Sequence, residues 1–285
     1  MAWIDLNGVR TWYVEHGSGE PFLLLHGLGS SSDDWLLQIP TFSNRWRVIA
    51  PDLRGHGRTP LPDTTLTIEQ MAADMAELLE RLDARPAHVL GLSMGGCVAL
   101  ALALARPDDV RSLILVNTGA AIRLSGRRYL RGLTRVIALL VGGPPAMARV
   151  VARGLFPDPD QALLRQEAAA RLSQVAPRAY LSAVRALLRF DARPRLAEIR
   201  CPTLVIAGAE DGTLGPQPTR YLADHIPGAR LAIIPRSRHV TPIDQPEAFN
   251  RTVLNFLEEI TRPSPVSAPL PQPVTESLQG ETMSQ

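Results

Sequence analysis

One serine in this chain stands where a serine can become a nucleophile. Ser93 lies in Gly91-Leu92-Ser93-Met94-Gly95, between an apolar run from Ala87 that reads as a buried strand and an alanine-rich helical stretch around Ala99. A strand that turns directly into a helix holds the residue between them at a strained backbone angle, and glycines two before and two after it let strand and helix approach closely. The serine oxygen is then exposed above the sheet. A hydroxyl is a weak nucleophile at neutral pH, so attack on an acyl carbon also needs an imidazole to take its proton and a carboxylate to hold that imidazole. Of the 6 histidines, His26 and His56 sit in glycine turns, His88 inside a strand, His225 in a helix, His16 beside a glycine turn and His239 on a loop after Ser237-Arg238. Spacing alone leaves the choice among them open.

The elements that would position these residues follow a regular order. Trp3 to Glu15 reads as two alternating strands around an Asn7-Gly8 hairpin turn. Pro21–Leu25 is a continuous apolar run, as in a strand buried on both faces, and ends in His26-Gly27-Leu28-Gly29. Arg47–Ala50 is the next strand, and it opens into Pro51-Asp52-Leu53-Arg54-Gly55-His56-Gly57, a glycine-broken loop. Thr67 and Gln70 form a capping box, with Ile68, Met71, Met75, Leu78, Leu79 and Leu82 on one helical face. Further strands are expected at Ser112–Val116, Pro202–Gly208 and Arg230–Pro235, and a last amphipathic helix at 246–260. Alternating strands and helices imply a parallel sheet with helices on both faces, the α/β class. From Gly119 to Leu196 only helical periodicities occur, separated by Gly142-Gly143-Pro144-Pro145, Pro157-Asp158-Pro159 and Ala176-Pro177. This predicts a core of 1–118 and 197–262, a helical insertion over 119–196 and a proline-rich disordered tail over 263–285.

Composition narrows the class. The chain has 285 residues, 45% hydrophobic and 20% charged, which suits one globular α/β domain with an insertion. No apolar signal core follows Met1, and no uninterrupted apolar run reaches the length of a membrane span, so the expectation is a cytoplasmic protein with no membrane partner. Cys97 and Cys201 have no paired spacing and no Cys/His cluster near them, so neither a disulfide nor a metal site is expected. All 30 basic residues are arginine, yet no nucleic-acid motif accompanies them and no nucleic-acid partner is expected. The arginines are uneven: 119–196 holds 14 against 4 acidic residues, whereas the rest holds 16 against 24. Arg127, Arg128 and Arg131, at the opening of the insertion, are candidates for drawing in anionic substrates.

His26-Gly27-Leu28-Gly29, Asp52-Leu53-Arg54-Gly55-His56-Gly57, Gly91-Leu92-Ser93-Met94-Gly95-Gly96, Pro202–Asp211 and Ser237-Arg238-His239 occur in an order that resembles the α/β-hydrolase fold over residues 3–262. Within that family the chain is similar to serine-nucleophile capped esterases and 3-oxoadipate enol-lactonases. The resemblance implies a mostly parallel eight-stranded sheet with a helical cap. The family's chain order implies His239 as the base and Asp211, three residues after Gly208, as its carboxylate partner. The family's alternative acid site is occupied by Asn117, an amide that cannot supply charge. The resemblance also assigns the oxyanion donors to the backbone N–H groups of Leu28 and Met94. Asp33 and Asp34 suit a helix start. Trp35 is a candidate to line the pocket or to pack beneath it, and Leu133, Val136, Ile137, Leu140, Val141 and Val150 are candidate pocket or packing residues of the insertion. Asp52, Arg54 and His56 form a turn to which the resemblance gives no chemical step.

The function implied is hydrolysis of small-to-medium carboxylic esters or lactones through an acyl-enzyme, without a cofactor. A serine at the elbow excludes dehalogenase and epoxide-hydrolase chemistry, which use aspartate there. The C–C bond hydrolases of this fold carry a glycine-proline loop where this chain has Gly27-Leu28-Gly29-Ser30. C–C bond hydrolysis and perhydrolysis remain alternatives on the same triad, and so does a small-molecule receptor of this fold. The sequence sets no oligomeric state.

Overall fold

The asparagine-glycine pair at residues 7 and 8 adopts φ values of 44° and 77°, the left-handed turn that joins β1 (Ala2–Leu6) to β2 (Val9–His16) as an antiparallel hairpin. The computed structural model of the chain describes residues 1–122 and 126–261, without the side chains of Arg127, Arg128, Tyr129 and Arg131. The expected tail at 263–285 and steering by Arg127, Arg128 and Arg131 lie outside these described parts. After the hairpin come β3 (Glu20–Leu25), α1 (Ile39–Phe42), β4 (Trp46–Pro51), α2 (Ile68–Arg81), β5 (Ala87–Leu92), α3 (Met94–Ala105) and β6 (Val110–Val116). The Thr67 hydroxyl caps α2 by accepting from the Gln70 N–H at 3.0 Å, as the capping pattern predicts. Three helices follow, α4 (Arg127–Leu155), α5 (Ala162–Leu172) and α6 (Pro177–Arg189). The chain closes with β7 (Thr203–Gly208), α7 (Pro216–His225), β8 (Arg230–Ile234), α8 (Thr241–Asp244) and α9 (Pro246–Thr261).

The eight strands form one sheet in the order β1-β2-β4-β3-β5-β6-β7-β8. Its first two pairings are antiparallel and the remaining five parallel. The strand period of two divides each central strand between two apolar layers. Leu23, Leu25, Val89, Leu113 and Val205 pack with α2, α3 and α7, while Phe22, Leu24, Leu90, Ile114 and Ile206 pack with α1 and α9. Helices therefore cover both faces, and the central strands are mostly apolar because neither face meets water, with His88 and Ser112 buried as a hydrogen-bonded pair at 2.8 Å.

The helices between β6 and β7 leave and return at one place: Ala121 bridges Asp191, and the Ala192 N–H donates to the Ala120 carbonyl at 2.8 Å. Their own apolar cluster contains Leu139, Met147, Ala148, Val151, Leu172 and Tyr180 and touches Leu28 of the sheet's loop. The expected break at Gly142-Gly143-Pro144-Pro145 is a kink within α4, where Gly143 has φ 66° and ψ −170° and the two prolines supply no N–H.

Candidate active site

The carboxyl ends of parallel strands are where an open α/β sheet leaves a crevice. The loops after β3, β5, β6, β7 and β8 carry Gly27, Ser93, Asn117, Asp211 and His239, respectively. Ser93 has φ 53° and ψ −111°, a left-handed conformation imposed by the direct passage from β5 into α3. Its N–H donates to the Val116 carbonyl at 2.9 Å, and its own carbonyl accepts from the Thr118 hydroxyl at 2.7 Å. The strained turn is thus held from the neighbouring strand.

The His239 Nε2 lies 3.0 Å from the Ser93 Oγ, and its Nδ1 lies 2.9 Å from the Asp211 Oδ2. Asp211 and His239 are both buried. Burial alone would push the Asp211 carboxyl up, but the charge and hydrogen bond of His239, with N–H donors from Thr213 and Leu214, outweigh it and hold the carboxyl below its ordinary value. A carboxylate that stays ionised fixes the imidazole with Nδ1–H toward the acid, which leaves Nε2 as the proton acceptor facing the serine.

The loop after β3 sits against the serine: a Cβ added at Gly27 would lie 3.7 Å from the Ser93 Cβ. His26 braces this loop. Its Nε2 accepts from the Leu53 N–H at 2.9 Å, so Nδ1 is the donor to the Gly27 carbonyl at 2.8 Å. Leu28 and Met94 line the same cavity as Ser93, and neither amide donates to a protein acceptor among the described residues. The loop carrying Leu53 is itself tied down by Asp52, which accepts from the N–H groups of Ser32 and Arg58, each at 2.7 Å, and by the buried bidentate Arg54–Asp74 pair. Burial lowers the His56 imidazole to about 3, so this ring stays neutral inside the turn.

Asn117, which sequence reasoning set aside for lacking charge, is a buried hub. Its amide donates to the carbonyls of Arg238 at 3.0 Å and His239 at 2.8 Å and to the Thr241 hydroxyl at 2.7 Å, and its oxygen accepts from the Gly208 N–H at 2.8 Å. One side chain thus ties the end of β6 to the start of the Asp211 loop and to the histidine loop. Asn117→Ala would leave these buried groups unpaired and let His239 drift. The expected outcome is a kcat loss of about tenfold or more with KM little changed and a lowered melting temperature, read by steady-state kinetics and thermal unfolding.

Ser93 and His239 open into a cavity of about 440 Å³. Its wall is mostly apolar, with Leu92 and Val240 from the sheet side and Val136, Val151, Leu164, Leu172, Val184 and Leu187 from the inserted helices. The expected pocket residues are placed differently. Trp35 is fully buried among Phe22 and Phe42 in the core and contributes nothing to the wall. Leu133, Ile137, Leu140 and Val141 are exposed and absent from the wall, and Val150 gives way to Val151. Of the candidates on this stretch, Val136 lines the cavity. The helix turns Gly132, Val136 and Leu139 toward the protein and leaves Leu133, Ile137, Leu140 and Val141 in water.

The cavity also contains charged groups that periodicity did not single out, Asp33, Asp34, Arg135, Glu167 and Arg171. Burial pushes the Asp34 carboxyl up, opposed by a hydrogen bond from Ser30 and by the charge of Arg171. Burial pushes the Tyr180 hydroxyl up, opposed by the neighbouring Arg135 guanidinium, and Arg171 pairs with Glu167 at 2.5 Å along one helix.

A doubly covered, mostly parallel sheet with a serine elbow and an adjoining imidazole–carboxylate pair defines an α/β hydrolase. The chain belongs to this family: residues 20–246 match the model of the alpha/beta hydrolase fold. A relative from Azorhizobium caulinodans that bears the provisional name carbamate hydrolase RutD is 35% identical over 254 residues, covering 87% of this chain and 95% of the relative. Among solved structures, the enol-lactonase from Burkholderia xenovorans superposes with a TM-score of 0.83 at 29% identity, over 90% of this chain and 100% of the other. A thermophilic esterase from Thermogutta terrifontis, with malate bound, superposes with a TM-score of 0.80 at 27% identity, over 91% and 98%. Hydrolase chemistry on a small molecule is the activity these likenesses support.

Proposed function

We propose that this chain is a serine hydrolase of carboxylic esters with small-to-medium apolar acyl groups, lactones included. The observation that carries the reading is the continuous Asp211–His239–Ser93 hydrogen-bonded chain at the floor of an apolar cavity. In this reading the Ser93 Oγ attacks the ester carbonyl carbon while His239 Nε2 takes the hydroxyl proton. The carbonyl oxygen becomes an oxyanion that accepts from the Leu28 and Met94 N–H groups, donors worth roughly 3 kcal/mol each when aimed at the developing charge. Collapse breaks the bond to the alkoxy oxygen, which leaves with the proton from His239, and Ser93 keeps the acyl group. Water, deprotonated by the same imidazole, then releases the acid and restores the hydroxyl. Residues 119–196 act in this reading as a cap, because α4, α5 and α6 supply most of the apolar wall.

An apolar wall binds each added methylene, so kcat/KM for p-nitrophenyl esters is expected to rise from acetate to a maximum near hexanoate or octanoate. Ala168 lines the cavity from α5, and Ala168→Trp should lower the octanoate-to-acetate ratio of kcat/KM about tenfold while acetate turnover stays near the starting value. A p-nitrophenyl carbamate and an enol-lactone belong on the same panel. Turnover of the carbamate alone would replace the ester reading with a carbamate one, and ligand binding without turnover of any member would make the chain a receptor.

A further inference from the structure

The first half of α4 has its apolar side turned outward. Leu130, Leu133, Ile137, Leu140 and Val141 are 60%, 43%, 49%, 73% and 84% exposed. At 3.6 residues per turn these positions fall within an arc of about 100°. The opposite side is engaged: Gly132, Arg135 and Val136 line the catalytic cavity and Leu139 is buried. Exposed aliphatic residues scattered singly are ordinary, but a contiguous stripe along a helix marks a surface that meets something.

Charge and composition bear on the partner. The 29 residues of α4 include six arginines and no acidic residue. Two copies meeting through this helix would bring like charges together, whereas an anionic surface would be attracted. The exposed stripe is entirely aliphatic, and Leu and Val are under-represented among the anchors that dominate protein–protein interfaces. A fluid lipid surface needs no shape complement. By length and composition Gly132–Leu155 could cross a bilayer, but the left-handed Gly143 with Pro144 and Pro145 interrupts it, and one side of it walls the cavity. A helix lying in the interface fits these constraints, and it requires no long apolar run of the kind whose absence suggested that no membrane is involved.

We propose that residues 127–142 dock the protein on anionic lipid surfaces, with Leu130, Leu133, Ile137, Leu140 and Val141 seated among the acyl chains and the net positive charge of the segment attracting it to the headgroups. The surface-bound helix would form the lipid-side wall of the cavity. The proposal stands on the stripe and the charge, independently of which ester is cleaved.

The test is co-sedimentation of the full chain with vesicles of phosphatidylcholine alone or mixed with phosphatidylglycerol, at low and high NaCl. The intact protein should sediment with the mixed vesicles, much less with neutral ones, and less as salt rises. Leu133→Gln/Ile137→Gln/Leu140→Gln should lower the partition coefficient at least about tenfold, since three aliphatic side chains no longer leave water. The altered residues are exposed and outside the cavity wall, so melting temperature and hydrolysis of a soluble ester should not change. Equal sedimentation of the triple variant and the intact chain would overturn the proposal. So would an intact protein that ignores mixed vesicles, including one that is a dimer in sedimentation equilibrium and becomes a monomer in the triple variant. Because binding is read without turnover, either result leaves the ester reading to its own panel.

Discussion

Ser93→Ala should reduce kcat/KM for a p-nitrophenyl ester by roughly 10⁴-fold or more while leaving the fold intact. Only the Oγ at 3.0 Å from the His239 Nε2 is removed, and the backbone bonds that hold the elbow, to Val116 and from Thr118, remain. His239→Ala should cost a similar factor, because the hydroxyl proton then has no acceptor within reach. The two losses should not add: once the nucleophile is gone the base has nothing to activate, so the double variant should resemble either single one. Asp211→Asn should be the milder activity variant and should also lose stability. The folded carboxyl lies below its ordinary value, so its ionised form contributes stability that is present above the usual carboxylate range and lost as the pH falls through the folded value. The stability gap between Asp211→Asn and the intact protein should therefore be open at neutral pH and narrow in acid. A phosphonate probe should label Ser93 and no other serine. Substantial turnover by Ser93→Ala would mean that another group forms the acyl intermediate.

The parts of this site that were legible in the sequence are those fixed locally or by chain order. Glycines around Ser93 encode a tight elbow, Asn7-Gly8 encodes a hairpin, and the continuous apolar runs in the central strands report two covered sheet faces. The meeting of Ser93, His239 and Asp211 followed from motif order, because each sits just after the carboxyl end of a parallel strand and the sheet brings those ends together. The cavity wall was not legible in this way. An amphipathic period states that one side of α4 is apolar, but which side turns inward depends on what α5, α6 and the Leu28 loop offer it. The structure turns Val136 in and Ile137 out, one residue apart. For Trp35 the sequence left lining and packing open, since an aromatic ring near a site is also the largest filler for the core beneath it, and the structure shows packing. Asn117 was judged on its charge, whereas its contribution is four hydrogen bonds that only the folded loops create.

Gly95→Ala should be strongly disruptive for a single added methyl group. A Cβ at Gly95 would sit 2.2 Å from the Leu25 carbonyl oxygen and 2.7 Å from that of His26, and a Cβ at Gly91 would sit 2.3 Å from the Gly95 carbonyl oxygen. Every one of these neighbours is backbone, so no side-chain rotation can relieve the contact. Leu25 belongs to β3, a central strand paired on both sides, and cannot retreat without breaking the sheet. The helix α3 would have to lift from β3, carrying Ser93 away from the Leu28 amide on the loop after β3. Overpacking of well-filled cores costs about 1–3 kcal/mol when side chains can adjust, and a contact between fixed backbones should exceed that range. Gly95→Ala is therefore expected to unfold well below the intact protein in urea, or fail to accumulate folded, with kcat lost in whatever fraction folds. The control is Gly154→Ala, in the exposed last turns of α4, where an added Cβ meets nothing within 4 Å. There the methyl group should raise stability by roughly 0.5–1 kcal/mol through the helix preference of alanine alone. The same substitution thus tests opposite signs at two helical glycines. Near-native stability and turnover in Gly95→Ala would show that the elbow is not held by the close approach of α3 to β3.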